Sequence, residues 1–139
     1  MPTATELHPA GWPSLVLESV GDVPGAKVAG AWVLSVTSVS SQTPADPKDF
    51  TAGLDYLRAA FPREDFGPAS QLPNRLRLGV VSHLYILWDI VDCSRLSAGD
   101  RPQVSLKSAL GTVTHERLDY WTSPGHDLDS LKEAGVCPG

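Results

Sequence analysis

Arg75-Leu-Arg-Leu-Gly-Val-Val-Ser-His-Leu-Tyr-Ile-Leu-Trp-Asp-Ile-Val-Asp92 is the longest apolar run in the chain, and the fold depends on how it is read. Among its even positions Leu76, Leu78, Val80, Leu84, Ile86, Trp88 and Ile90 are apolar, with Ser82 the exception. The odd positions mix Arg75, Arg77, His83, Tyr85 and Asp89 with Val81, Leu87 and Val91. A period of two predicts a strand with one buried face and one half-wet face. A helix would gather Val80, Val81, Leu84, Leu87, Trp88 and Val91 into one stripe, but it leaves Ile86 and Ile90 opposite and puts Gly79 near its start. The β-branched and aromatic content favours the strand. Its length exceeds the usual span of about five or six residues, so a bulge near Gly79 or at Ser82-His83, or a projecting hairpin arm, is expected.

Working outward, Ser14 to Val20 reads as a short strand. Gly21-Asp-Val-Pro-Gly25 is turn chemistry, leading to a second strand over Ala26 to Ser40. The two are expected to pair antiparallel, with Val28, Trp32, Leu34 and Val36 on one face. Small residues Ala26, Ala29, Gly30 and Ala31 leave room for a close neighbour. Asp46-Pro47-Lys48-Asp49 opens a helix: Asp46 accepts free first-turn amides, and Pro47 loses no hydrogen bond at the first helical position. Phe50, Leu54, Leu57 and Phe61 then form one apolar stripe, which Pro62 ends. The helix predicted over 47–61 covers one face of the sheet. Residues 62–74 form a loop with three prolines, in which Phe66 is a candidate contact residue.

Beyond the central run, Gln103 to Ser108 and Thr112 to Thr122 read as two strands around Ala109-Leu110-Gly111. In the second, Val113, His115, Arg117, Asp119 and Trp121 alternate with Thr114, Glu116, Leu118 and Tyr120, so neither face is cleanly apolar. Such a strand suits a sheet edge or an interface. Asp127 to Ala134 reads as a short helix, acidic at its start and stopped by Gly135. The fold expected is α+β: a mainly antiparallel sheet of about five strands, the 47–61 helix packed on it, and a short C-terminal helix. Residues 1–13, with three prolines, are read as an extended arm and 14–139 as a single domain.

Composition narrows function without naming it. At 42% hydrophobic and 19% charged the chain is globular in character. A net charge of −5 with 11 scattered Lys and Arg argues against nucleic acid as a partner. No charged-then-apolar leader is evident, and Ser82, His83 and Asp89 interrupt the apolar run. Neither a signal peptide nor a membrane partner is therefore expected, and the reading is cytoplasmic or incorporated into a particle assembled there. Cys93 and Cys137 are too few for a disulfide framework and match no zinc spacing, so both are read as reduced; a bridge would instead tie the tail to the end of the central strand.

Candidate chemistry is sparse. Cys93, Asp89, Asp92 and His83 lie close in sequence, but on a strand Asp89 is roughly 20 Å from His83, too far for a hydrogen bond. His115, Glu116, Asp119 and His126 form the best metal-like or acid–base inventory, yet their spacing fits no zinc pattern, and ordinary cross-strand ion pairing is the better reading. No cofactor, metal or catalytic residue is assigned. Ends this poor in core residues order against a partner, which places the arm and tail on neighbouring subunits. With Trp12, Phe66, Tyr120 and Trp121 as candidate exposed aromatics, the leading expectation is a non-enzymatic structural subunit. It would act through protein–protein contacts in a homo-oligomer or with other subunits, as in a viral particle of the phage tail or neck type. A small cofactor-free or metal-dependent enzyme using the His115–His126 region is the alternative. A small-molecule or peptide binding module with an apolar cleft near Trp88 is the third.

Overall fold

A computed structural model of the chain describes residues 2–7, 16–34, 55, 66–68, 70–76, 82–108, 110–111, 113–119 and 122–138. Its described strands are β1 (Pro2–Leu7), β2 (Val16–Val20), β3 (Ala26–Leu34), β4 (Asn74–Arg75), β5 (Ser82–Ile90), β6 (Gln103–Lys107) and β7 (Val113–Arg117), with a short helix, α1 (Leu128–Glu133). They form two sheets, of order β1-β5-β3 and β4-β2-β6-β7. Every pairing is antiparallel. The mixed, antiparallel class matches expectation, but the described strands make two sheets rather than a single one of about five. The helix read over 47–61 lies outside the described residues apart from Asp55, which is helical and exposed.

The run that decides the fold is divided. Asn74 and Arg75 belong to the four-stranded sheet, whereas Ser82–Ile90 is the middle strand of the three-stranded one. Within β5 the even face is buried as the period of two predicts: Ser82, Leu84, Ile86 and Trp88 are each at most 3% exposed. The odd face departs from the half-wet expectation, since His83 and Tyr85 are equally buried while Asp89 stays exposed. Aromatic packing covers Tyr85. Trp32 and Tyr85 both meet Phe66 edge to face, with ring centroids 5.8 and 5.5 Å away.

A bulge does occur, but in the neighbour. Pairing of β3 with β5 shifts register between Val28 and Gly30, so the extra residue reverses the alternation along β3. Val28 therefore lies beside Trp88, while Trp32 and Leu34 lie beside Tyr85 and His83 on the opposite face. This corrects the single face assigned to Val28, Trp32 and Leu34. Gly30 is required here because a Cβ on it would come within 2.6 Å of the Trp32 ring. The room left by small residues at this point is filled by the strand's own indole.

Both sheets share one core. Leu17 from β2 and Val104 and Leu106 from β6 cluster with Ala26 and Ala31 of β3 and Leu84, Ile86 and Trp88 of β5. Burying each Leu or Ile stabilises by roughly 1.5–3 kcal/mol. The expected β2–β3 ladder is not made: β2 pairs with β4 and β6, and β3 pairs with β5. The turn between them is held elsewhere. Gly25, at φ 87°, accepts hydrogen bonds through its carbonyl from the amides of Val91 and Asp92 at 2.9 and 3.0 Å. A Cβ there would come within 2.3 Å of the Asp92 carbonyl, so glycine fits both the conformation and the approach.

Described residues near both ends make contacts within this chain. Pro2–Leu7 is extended, as read, but it is a strand of the sheet, and Trp88 donates its indole N–H to the buried Thr3 hydroxyl at 2.9 Å. At the other end Cys93 and Cys137 are bridged, with Cα atoms 5.7 Å apart and a sequence separation of 44. This corrects the reduced reading. A count of two cysteines carries no information about proximity, which arises because α1 docks through the fully buried Leu131 and then turns back. Gly135 at φ 76° makes that turn, and the amides of Val136 and Cys137 donate to the Leu131 carbonyl at 3.0 and 3.1 Å.

Candidate functional site

Two features could meet a partner: the outer edge of β7 and a cleft between β2 and β3. The hairpin Gln103–Arg117 brings β7 against β6, with Ser105 opposite His115 and Val104 opposite Glu116. All five residues of β7 are exposed, and it ends the sheet order. Leu110, in the hairpin connection, is 95% exposed, and Val113, the first residue of β7, is 48% exposed. The strand that is polar on both faces is thus an edge strand.

The His115, Glu116, Asp119 and His126 set is not gathered into one site. Neighbours on a strand point to opposite faces, so His115 and Glu116 diverge. His115 Nδ1 lies 3.0 Å from the Ser105 hydroxyl. Asp119 is exposed beyond the strand, and His126 sits half-buried in the 3-10 turn Pro124–Asp127. Among the described residues no cluster of three or more His, Cys, Asp and Glu side chains could hold a metal. Beside His126, burial pushes the Asp127 carboxyl above its ordinary range, opposed by the imidazole charge. Asp127 precedes α1 yet makes no capping hydrogen bond with its side chain. Cys93, bridged, offers no thiol nucleophile.

Of the candidate contact aromatics, Phe66 is 4% exposed and packed between Trp32 and Tyr85, so it is a core residue. Trp12, Tyr120 and Trp121 lie outside the described residues. Trp88 is likewise buried. The open space lies one strand away, beside its cross-strand partner Val28.

There β2 and β3 diverge from their shared turn, leaving a cavity of about 300 Å³ lined by Glu18, Ser19, Val20, Val28, Gly30, Ala31, Gln71 and Leu72. Both strands lose register at this point, β2 between Leu17 and Ser19 and β3 between Val28 and Gly30. Sequence reasoning missed the cleft because it assumed that consecutive strands joined by a turn would pair. No protein-family model matches the chain, and neither a curated protein nor a solved structure resembles it.

Proposed function

We propose that the protein is a non-enzymatic subunit that acts through protein–protein contacts in a multi-chain complex, with β7 as its principal contact strand. The observation that supports this reading is that all of Val113–Arg117 is exposed on a sheet edge with no further strand among the described residues, next to the exposed Leu110. A strand edge presents a row of backbone donors and acceptors that a second strand satisfies. Leu110 and Val113 add an apolar end to that row. A phage tail or neck type of particle suits such a subunit. The Cys93–Cys137 bridge favours residence in a particle over a free cytoplasmic protein, because cytosolic thiol systems keep cysteines reduced.

Light scattering across a wide range of concentration tests it. The mass of the wild-type chain rises with concentration, and Leu110→Lys with Val113→Lys abolishes the rise, since lysine on an edge opposes strand pairing. Both side chains are exposed, so folding is unaffected. A constant monomer for the wild type, or undiminished association of the variant, rejects β7 as the contact. Removing residues 1–13 is not a clean test, because Thr3 is buried against Trp88.

A further inference from the structure

We propose that the cleft between β2 and β3 binds an extended peptide segment of a partner by strand addition, with a basic side chain of that segment placed on Glu18. The cleft is separate from the β7 edge and goes beyond that contact. Its walls are strand edges. β4 meets β2 only at Val16 and Leu17, so from Glu18 to Val20 the edge of β2 facing away from β6 has no ladder partner among the described residues. On β3, residues 70–72 close the outer edge at its far part: Val33 N–H donates to the Ser70 carbonyl at 2.9 Å, and Leu72 N–H donates to the Ala31 carbonyl at 3.3 Å. Among the described residues no strand pairs with the stretch from Val28 to Gly30 on that side. There the Val28 amide is satisfied by the Asp22 carboxylate at 2.8 Å rather than by a neighbouring strand.

The lining carries the chemistry of recognition. Val20, Val28 and Leu72 are half-buried hydrophobics packed against the core, so the floor is apolar and continuous with it. The lining also includes Glu18, Ser19 and Gln71. Among the described residues none of these three side chains has a hydrogen-bond or ion-pair partner. Among the described residues Glu18 is the sole ionisable residue on the lining, so the complementary ligand is cationic. At about 300 Å³ the space is at the small end for ligand pockets, and fits one side chain with its stretch of backbone rather than a larger molecule. Open backbone edges favour a peptide over a simple amine, because main-chain hydrogen bonds supply affinity in strand addition and side-chain pockets supply selectivity.

The test uses the full chain, isotopically labelled, and amide NMR spectra. The probes are a capped peptide Ac-Thr-Val-Lys-Val-Thr-NH2, its analogue with glutamate in place of lysine, its backbone N-methylated analogue, and butylamine. The lysine peptide is expected to shift the amides of Ser19, Val20, Gly30, Ala31 and Leu72. Glutamate or N-methylation weakens binding roughly tenfold, the scale of one charge-assisted or ladder contact. Glu18→Lys, on a half-exposed side chain, reverses the preference between the lysine and glutamate peptides while leaving the rest of the spectrum in place. Absence of shifts at these amides overturns the proposal. So does equal binding of the N-methylated peptide, which removes strand addition, or an equal response to butylamine, which reduces the cleft to a small-cation site.

Discussion

β5 and β7 are both antiparallel strands, and they stand at opposite extremes. In β5, Leu84 and Ile86 are fully buried on one face while His83 and Tyr85 are buried on the other; in β7 no residue is buried on either. Place in the sheet accounts for the contrast. β5 has a strand on each side and is buried on both faces, whereas β7 has one neighbour among the described strands. A central strand owes its stability to packing, so its side chains are constrained by volume. An edge strand owes its place to its ladder, so its side chains are free to serve a partner.

Substitution should separate the two. Ile86→Ala, which opens a cavity between the sheets, is expected to destabilise by about 3 kcal/mol, and Thr114→Ala in β7 by less than about 0.5 kcal/mol, both read from denaturant midpoints. Comparable losses would mean that β7 is packed and that the contrast fails. A similarly large effect is expected on reducing Cys93–Cys137, which fastens the tail just beyond β5. Releasing a bridge between residues 44 apart removes up to about 4 kcal/mol and lowers Tm by roughly 10 °C. A thiol titration showing two reactive groups before any reductant is added would contradict the bridge itself.

A smaller loss, about 1–2 kcal/mol, is expected from Thr3→Val, which keeps shape but removes the acceptor for the Trp88 indole. It sharpens the comparison by showing that β1 contributes to burying β5. The smallest effect belongs to Asp127. Its carboxyl titrates above its ordinary range because burial penalises the charge, so the native state takes up a proton more readily than the unfolded chain. Stability from this group is fully present below the unfolded value of 3.8 and is lost as pH rises through the higher native value. Asp127→Asn should therefore raise Tm at neutral pH and leave it unchanged well below pH 3.8, as a thermal scan at the two conditions would show.

The comparison also marks how far patterning reaches. Alternation placed Leu84, Ile86 and Trp88 on the core face, and mixed polarity placed Val113–Arg117 on an edge, because both follow from the two-residue period of a strand. The hairpin of β6 and β7 and the glycine-stopped C-terminal helix were legible for equally local reasons. What was not legible depends on which strands meet. The pairing of β3 with β5 rather than β2, the bulge that reverses Trp32, and the approach of Cys137 to Cys93 are set by contacts between distant segments. Burial of Phe66 escaped notice because its ring is covered by Trp32 and Tyr85, from two separate strands. The cleft is a consequence of the same long-range choice, so no local motif announces it.

The pairing of β1 with β5 has a consequence for how the molecule is made. Thr3 and Trp88 are 85 residues apart, so on a ribosome adding roughly 5–20 residues each second the first strand emerges several seconds before its partner exists. During that interval β1 has no ladder to join. Once β3 and β5 have paired, the vacant side of β5 is an apolar edge that β1 must reach before another chain does. Contacts this distant in sequence also slow the search itself. Refolding yield should therefore fall as protein concentration rises, and a peptide copy of residues 2–7 supplied in trans should compete for the place of β1 while that edge is open.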